Sequence, residues 1–324
     1  MSKVLGGRIV RLAGLALVAL AALAVAATAY GGSTRSAACD EIVLNENSWT
    51  GSSANIYVLK NVLEKKLKCK VKVTNITEGQ PSFQAMADGK IDVVLEDWGN
   101  LAGFPQYSKA KQVLNLGSNG ITGVIGWYIP RYLLKQYPQF KTWKGLKGKE
   151  SVFKSPESGS QGMFLGGDPS YVQKDKALIE GLGLDLKHVV AGAEPAQVAR
   201  WTQLYKQRKP VLFYWYDPQY LNAQYDLVQV KLPARFKGCQ DDEKKGGDPK
   251  KYACAYPSYR LDKLVSSDFM KSGSPAMKVV KKFKWTSADQ NYVANLISGK
   301  KLSKDKAAQM WIAKNAKTVN SWVK

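Results

Sequence analysis

The chain has 324 residues, 45% of them hydrophobic, which is enough for a sizeable core and two lobes and excludes a disordered or repeat polymer. Its formal net charge is +22, with one histidine and four cysteines. Nucleic acid is not expected as a partner despite that charge, because the lysines are scattered in twos, as in Lys65-Lys66, Lys244-Lys245 and Lys281-Lys282, without a dense basic arm. A solvated lysine-rich surface, or attraction of an exported protein to an anionic membrane or wall, accounts for the balance.

Residues 1–38 read as a secretory signal. Lys3, Arg8 and Arg11 precede an uncharged Ala/Leu/Val stretch over 12–29 that contains Ala27-Thr28-Ala29. The mature chain is expected outside the cytoplasm, in the periplasm or at the outer face of the membrane. An uncleaved anchor and a lipid box at Ser36-Ala37-Ala38-Cys39 are the alternatives. Alanine richness makes the first a weak span, and Ser36 stands where a lipid box needs a large aliphatic residue.

Strand and helix signals then alternate. A strand is predicted over 41–47, followed by a helix capped by Ser52 or Ser53, with Ile56, Leu59, Leu63 and Leu67 at helical spacing. Next come a strand over 71–75, a short helix opened by Pro81, and an apolar strand over 91–95, a βαβαβ unit that predicts an α/β fold with a largely parallel sheet. An extended apolar segment from Ile121 is broken by Pro130, a candidate crossing between lobes. Beyond it are predicted a strand over 151–154, helices over 174–182 and 195–206, and a strand over 210–213. Helices near 275–283 and after Ser287 and Ser303 complete the chain. The expected architecture is a two-lobed clamshell with two hinge crossings: 39–125 in lobe 1, 126–213 in lobe 2, and 214–324 returning to lobe 1.

An even number of cysteines in an exported chain favours disulfides. Three pairings are possible; Cys39 with Cys69 is expected because each precedes one of two neighbouring strands, and Cys239 with Cys254 because they bracket the Lys/Asp/Gly-rich loop 240–251. No Cys-x-x-Cys spacing exists and His188 has no second histidine, so neither a metal nor another cofactor is expected.

Trp49, Trp98 and Trp215 each follow a predicted strand, in Asn-Ser-Trp-Thr-Gly, Glu-Asp-Trp and Tyr-Trp-Tyr-Asp-Pro. Ligands of open α/β sheets sit beyond the carboxyl ends of the strands, so these rings are expected to converge as an aromatic cage. Such a cage suits a quaternary ammonium group, which has no N–H to donate and is held by cation–π attraction and contact area. Trp201, Trp285, Trp311 and Trp322 are read as core. Glu96 and Asp97 either offset a cation's desolvation or cap the turn after their strand. Asp217, before Pro218, is read as a turn residue.

Ser48-Trp49-Thr50-Gly51, Leu95-Glu96-Asp97-Trp98, Gly126-Trp127-Tyr128-Ile129-Pro130 and Tyr214-Trp215-Tyr216-Asp217-Pro218 resemble the substrate-binding proteins of glycine betaine/choline/proline ABC importers. So do Asp289-Gln290-Asn291 and Trp311-Ile312-Ala313-Lys314-Asn315. The resemblance implies a monomeric receptor that closes on a trimethylammonium compound, glycine betaine first, and presents it to a membrane permease. Choline, carnitine, proline and ectoine are the alternative ligands. It also implies Trp49 and Trp98 as first-lobe cage walls, Trp215 as a wall near the second crossing, and Trp127 or Tyr128 as a further ring. Gly159, Ser160 and Gln161 become second-lobe donors to a ligand carboxylate, in a stretch where relatives place a tryptophan. An exported enzyme acting on a small cation and a basic adhesin are the competing classes. No phosphate loop, triad or Gly-x-Ser-x-Gly elbow around Ser158 and Ser160 supports the enzyme.

Overall fold

The computed structural model describes residues 39, 41–99, 104–239 and 253–324; the expected signal segment and the 240–251 loop lie outside them. Nine strands form one sheet: β1 (Ile42–Asn45), β2 (Val71–Thr74), β3 (Val93–Asp97), β4 (Val113–Pro130), β5 (Gly162–Gly166), β6 (Leu186–Val190), β7 (Leu212–Asp217), β8 (Leu227–Gln229) and β9 (Ser258–Ser266). Their order is β2-β1-β3-β9-β4-β7-β5-β6, with β8 also on β4.

Two parallel trios make up this order. In the first, β1 lies between β2 and β3; in the second, β5 lies between β6 and β7. Helices Thr50–Leu67 and Gln80–Ala87 cross over in the first trio, and Asp175–Leu182 and Glu194–Lys206 in the second. The predicted parallel sheet therefore holds within each trio. Between them, β9 and the long β4 pair antiparallel to each other and to β3 and β7, joining the halves of a two-lobed α/β fold. The expected lobe boundary at 213/214 falls inside β7.

Some local predictions change. The helix begins at Thr50, with Trp49 at its N-cap and no side-chain cap. Ser52 instead accepts the Asn47 N–H at 2.9 Å, and Ser53 donates to Glu46. Where a strand is expected over 151–154, Glu150–Phe153 form a 3-10 helix. Strand β9 escapes an apolar-run search because it carries Arg260, Asp262 and Lys263. Lys263 is fully buried and donates to the carbonyls of Val280, Lys281 and Phe283 at 3.1, 2.7 and 2.9 Å, closing the C-terminal end of helix Pro275–Lys282. The four tryptophans read as core are all buried, and Trp311 stacks on Trp322 at 5.8 Å.

Both expected disulfides are present, with Cα–Cα separations of 4.8 Å for Cys39–Cys69 and 6.4 Å for Cys239–Cys254. With its sulfur bonded to Cys69, Cys39 has no thiol for a lipid. The first bridge spans 30 residues and ties the entry of β1 to that of β2. Replacing Cys39 and Cys69 by alanine should lower stability by about 3 to 4 kcal/mol, the unfolded-state entropy of such a loop. A urea midpoint equal to that of the parent protein would contradict this.

Candidate functional site

The carboxyl ends of both trios meet at a small hollow lined by Trp49, Glu78, Trp98, Ile125, Tyr171, Val172, Tyr214 and Tyr216. Trp49 follows β1, Glu78 follows β2 and Trp98 follows β3. Tyr171 and Val172 follow β5, and Tyr214 and Tyr216 lie in β7. Trp49, Glu78, Trp98, Tyr171 and Val172 enter by the same rule, since in a parallel trio the chain leaves each strand at the crevice end, whereas Ile125 comes from within antiparallel β4 and Tyr214 and Tyr216 from within β7.

Four rings form a chain around the hollow. Centroids are 5.5 Å apart for Trp49 and Tyr171, 6.0 Å for Tyr171 and Tyr216, and 5.6 Å for Tyr216 and Trp98. Glu96 closes the circuit: its Oε1 accepts both the Trp49 and Trp98 indole N–H groups at 2.8 Å. Its Oε2 accepts from Asn55 Nδ2. Glu96 thus stands behind the rings and fixes their rotation, a role distinct from the two expected for it. Asp97 does cap the following turn, accepting the Gly99 N–H at 3.1 Å. Glu194 serves the tyrosines as Glu96 serves the indoles, accepting from Tyr171 at 2.9 Å and from Tyr216 through the same oxygen.

Trp98 lies flat against Gly123 of β4, where a Cβ would sit 2.3 Å from the indole. Glycine is required there by close approach of the ring.

Three expected walls do not line the hollow. Trp215 alternates with Tyr214 and Tyr216 along β7, so it points to the opposite sheet face and packs on Trp201 and Phe213 at 5.1 and 5.9 Å. Tyr128 lies opposite Phe213 in the β4–β7 register, on the Trp215 face. Trp127 is on the correct face but two residues deeper than Ile125, roughly 6.6 Å along the strand. It is fully buried, donates to Asp175 at 2.7 Å and contacts Phe164.

Gly159, Ser160 and Gln161 precede β5, at the strand end away from the crevice, and none lines the hollow. Gln161 donates to Asp185 at 2.9 Å. Sequence reasoning also missed Glu78, Tyr171, Val172, Tyr214 and Tyr216. Applying the strand-end rule to β2 would have found Glu78, and the two-residue period of β7 would have found the last two.

Burial dominates the electrostatics. It pushes the Glu96 carboxyl up to about 7 against the opposing indole hydrogen bonds, and Asp97 and Asp175 up to about 6. Glu78 is raised well above the usual carboxylate range by burial and then by Asp97, although it accepts the Trp98 backbone N–H at 2.9 Å. His188, half-buried and stacked on Phe164 at 5.7 Å, is held down to about 4 by its partial burial and then by Lys176. Among the described residues, no Lys, Arg or His lines the hollow.

Because these carboxyl groups bind protons more tightly folded than unfolded, their contribution to stability is complete below about pH 4 and is lost as pH rises through 6 to 7. The urea midpoint of the ligand-free protein should therefore fall between pH 5 and pH 8; a flat or rising midpoint would refute the assignment. Gly123→Ala should weaken ligand binding by roughly tenfold or more, since overpacking costs about 1–3 kcal/mol and the indole must leave its place to relieve it. Calorimetric titration of the variant checks this.

Residues 40–314 match the model of the substrate binding domain of ABC-type glycine betaine transport systems. A trimethylamine N-oxide-binding protein of Pelagibacter ubique (strain HTCC1062) is 24% identical over 286 residues, covering 85% of this chain and 88% of that protein. Lactococcal OpuAC, closed on glycine betaine, superposes with a TM-score of 0.67 at 22% identity, covering 88% of this chain and 100% of that one. ProX of Borrelia burgdorferi gives 0.69 at 20% identity, covering 88% and 97%. A choline binding protein in complex with choline gives 0.67 at 15%, covering 88% and 92%. The chain belongs to the family of substrate-binding domains of ABC-type glycine betaine transport systems.

Proposed function

We propose that this protein is an extracytoplasmic receptor that captures a compact solute with a trimethylated nitrogen and hands it to an ABC permease, and that trimethylamine N-oxide suits its site better than glycine betaine. The observation that carries the ligand choice is the buried Glu78 carboxyl lining a hollow that has no basic group. The rings supply cation–π attraction for the methylated nitrogen.

A betaine carboxylate would need donors. Both indole N–H groups are committed to Glu96, the Tyr171 and Tyr216 hydroxyls to Glu194, and the Tyr214 hydroxyl to the Val172 carbonyl at 3.2 Å. The expected amide donors at Gly159–Gln161 lie elsewhere. A protonated Glu78, in contrast, donates a hydrogen bond to an N-oxide oxygen, a strong acceptor without net charge on the ligand. The relative from Pelagibacter, named for binding trimethylamine N-oxide, supports the same choice. Choline is the second reading, favoured by the acidic surroundings that Glu78, Glu96, Asp97 and Glu194 give the hollow.

Proton linkage separates the two. A neutral N-oxide binds the form with Glu78 protonated, so its affinity should fall as pH rises and binding should take up protons. A net cation stabilises ionised Glu78, so its affinity should rise with pH and binding should release protons. Calorimetry with trimethylamine N-oxide, choline and glycine betaine in buffers of different ionisation heat reads both signs. Tightest binding of glycine betaine, with no proton uptake, would overturn the N-oxide reading. Trp98→Ala should weaken whichever ligand binds by about 0.5–2 kcal/mol.

A further inference from the structure

Helix Thr50–Leu67 is 18 residues long, yet its N-cap offers no side-chain acceptor and its first turn holds no acidic residue. A helix start has unpaired N–H groups and a partial positive charge, so it ordinarily recruits such an acceptor. Here the acceptor comes from the other half of the sheet. Glu194 opens the helix before β7, and its Oε1 accepts from Thr50 N at 3.4 Å and from Thr50 Oγ1 at 3.1 Å. Ser48 and Ser170, 3.1 Å apart, cross the same boundary beside it.

The same carboxyl also holds the cage. Tyr171 and Tyr216 donate to Oε2, and Gln219 donates to Oε1 at 3.3 Å. Glu194 is nearly solvent-free, and burial raises its proton affinity while these donors lower it. Five donors therefore satisfy one buried carboxyl only while the halves are together. Separation removes the two Thr50 contacts, leaving the helix start without its acceptor and the carboxyl short of donors.

We propose that Glu194 is a closure latch and positioning residue: it caps the Thr50 helix across the cleft and, through the opposite oxygen, aligns Tyr171 and Tyr216 for the ligand. Ring alignment and lobe closure are thereby coupled through one side chain. The inference takes from the proposed function only that the halves close around a small solute.

A latch acts on the closed state alone. Thr50→Val, which removes the cross-cleft hydroxyl without touching the tyrosines, should raise ligand koff by roughly tenfold, the scale of a charge-assisted hydrogen bond, with kon changed by less than about twofold. Glu194→Gln should raise koff at least as much. The double variant should be no worse than Glu194→Gln, because both changes break one contact. Stopped-flow tryptophan fluorescence with trimethylamine N-oxide, choline and glycine betaine gives these rates.

Spin labels at Lys66→Cys and Lys206→Cys, on surface positions of the two facing helices, read closure without reference to ligand identity. In the ligand-free protein, Thr50→Val should shift the distance distribution toward the longer, open separation. If none of the three solutes binds, the ligand reading fails, and this shift still decides the latch. An unchanged distribution, additive koff effects, or an unaltered koff in Thr50→Val overturns it.

Discussion

One carboxylate oxygen organises the site. Glu96 Oε1 takes both the Trp49 and Trp98 indole N–H groups, so two rings arriving from different strands are fixed at a common angle by a shared acceptor. Burying that carboxyl costs free energy, which shows in its raised proton affinity, and the hydrogen bonds offset part of the cost. Without Glu96 each indole N–H would face an apolar interior, and either ring could turn to seek another acceptor. Polarity placed behind Trp49 and Trp98 thus fixes their rotation, while the hollow's lining stays mostly aromatic, with Glu78 as its carboxyl group. Rigid rings lose little entropy on binding, which suits a ligand held mainly by contact and cation–π attraction.

The sheet explains why rings from opposite halves can meet. Two trios with the same internal order, first strand central, are joined through antiparallel β4 and β9. Both crevice ends open toward one place, where β4 passes beneath and supplies Ile125 and Gly123. Gly123 gives Trp98 the space to lie against the strand, so the position of an indole depends on a missing methyl in the connecting element. Strand geometry and ring placement in this way depend on the same residues.

Much of this was legible in the sequence, and the limits have physical causes. Trp49, Trp98 and the Cys39–Cys69 pairing follow from the ends of strands that apolar runs mark well, and the Cys239–Cys254 pairing follows from the polar loop the two bracket. Trp215 does not, because the predicted strand stopped at 213 whereas β7 continues to Asp217; inside a strand, parity decides the face, and parity selects Tyr214 and Tyr216. The loop 159–161 was placed at the site because 151–154 was read as a strand. The true strand β5 has only Met163, Phe164 and Leu165 between glycines, too short a run to announce itself. Shifting one strand from before the loop to after it moves the loop to the opposite end of the sheet. Glu194 and Glu96 carry a different lesson: Trp49 is 47 residues from Glu96 although Trp98 is only two away, Tyr171 and Tyr216 are 23 and 22 residues from Glu194, and nothing local marks a carboxyl that will accept two aromatic donors.

Four buried carboxyl groups, Glu78, Glu96, Asp97 and Glu194, stand in or behind the hollow, and the ligand reading proposed for it makes the proton part of the site. Burial first, and then Asp97 and Glu96, raise the proton affinity of Glu78, the carboxyl that faces the hollow. A cation entering such a site displaces a proton, since the two compete for the same negative charge. An N-oxide needs the proton to stay, because the hydrogen on Glu78 is what its oxygen would accept. The hollow's preference between the two chemistries is then set by burial and by the spacing of neighbouring carboxyl groups, not by the rings, which attract either ligand through the same methyl surface.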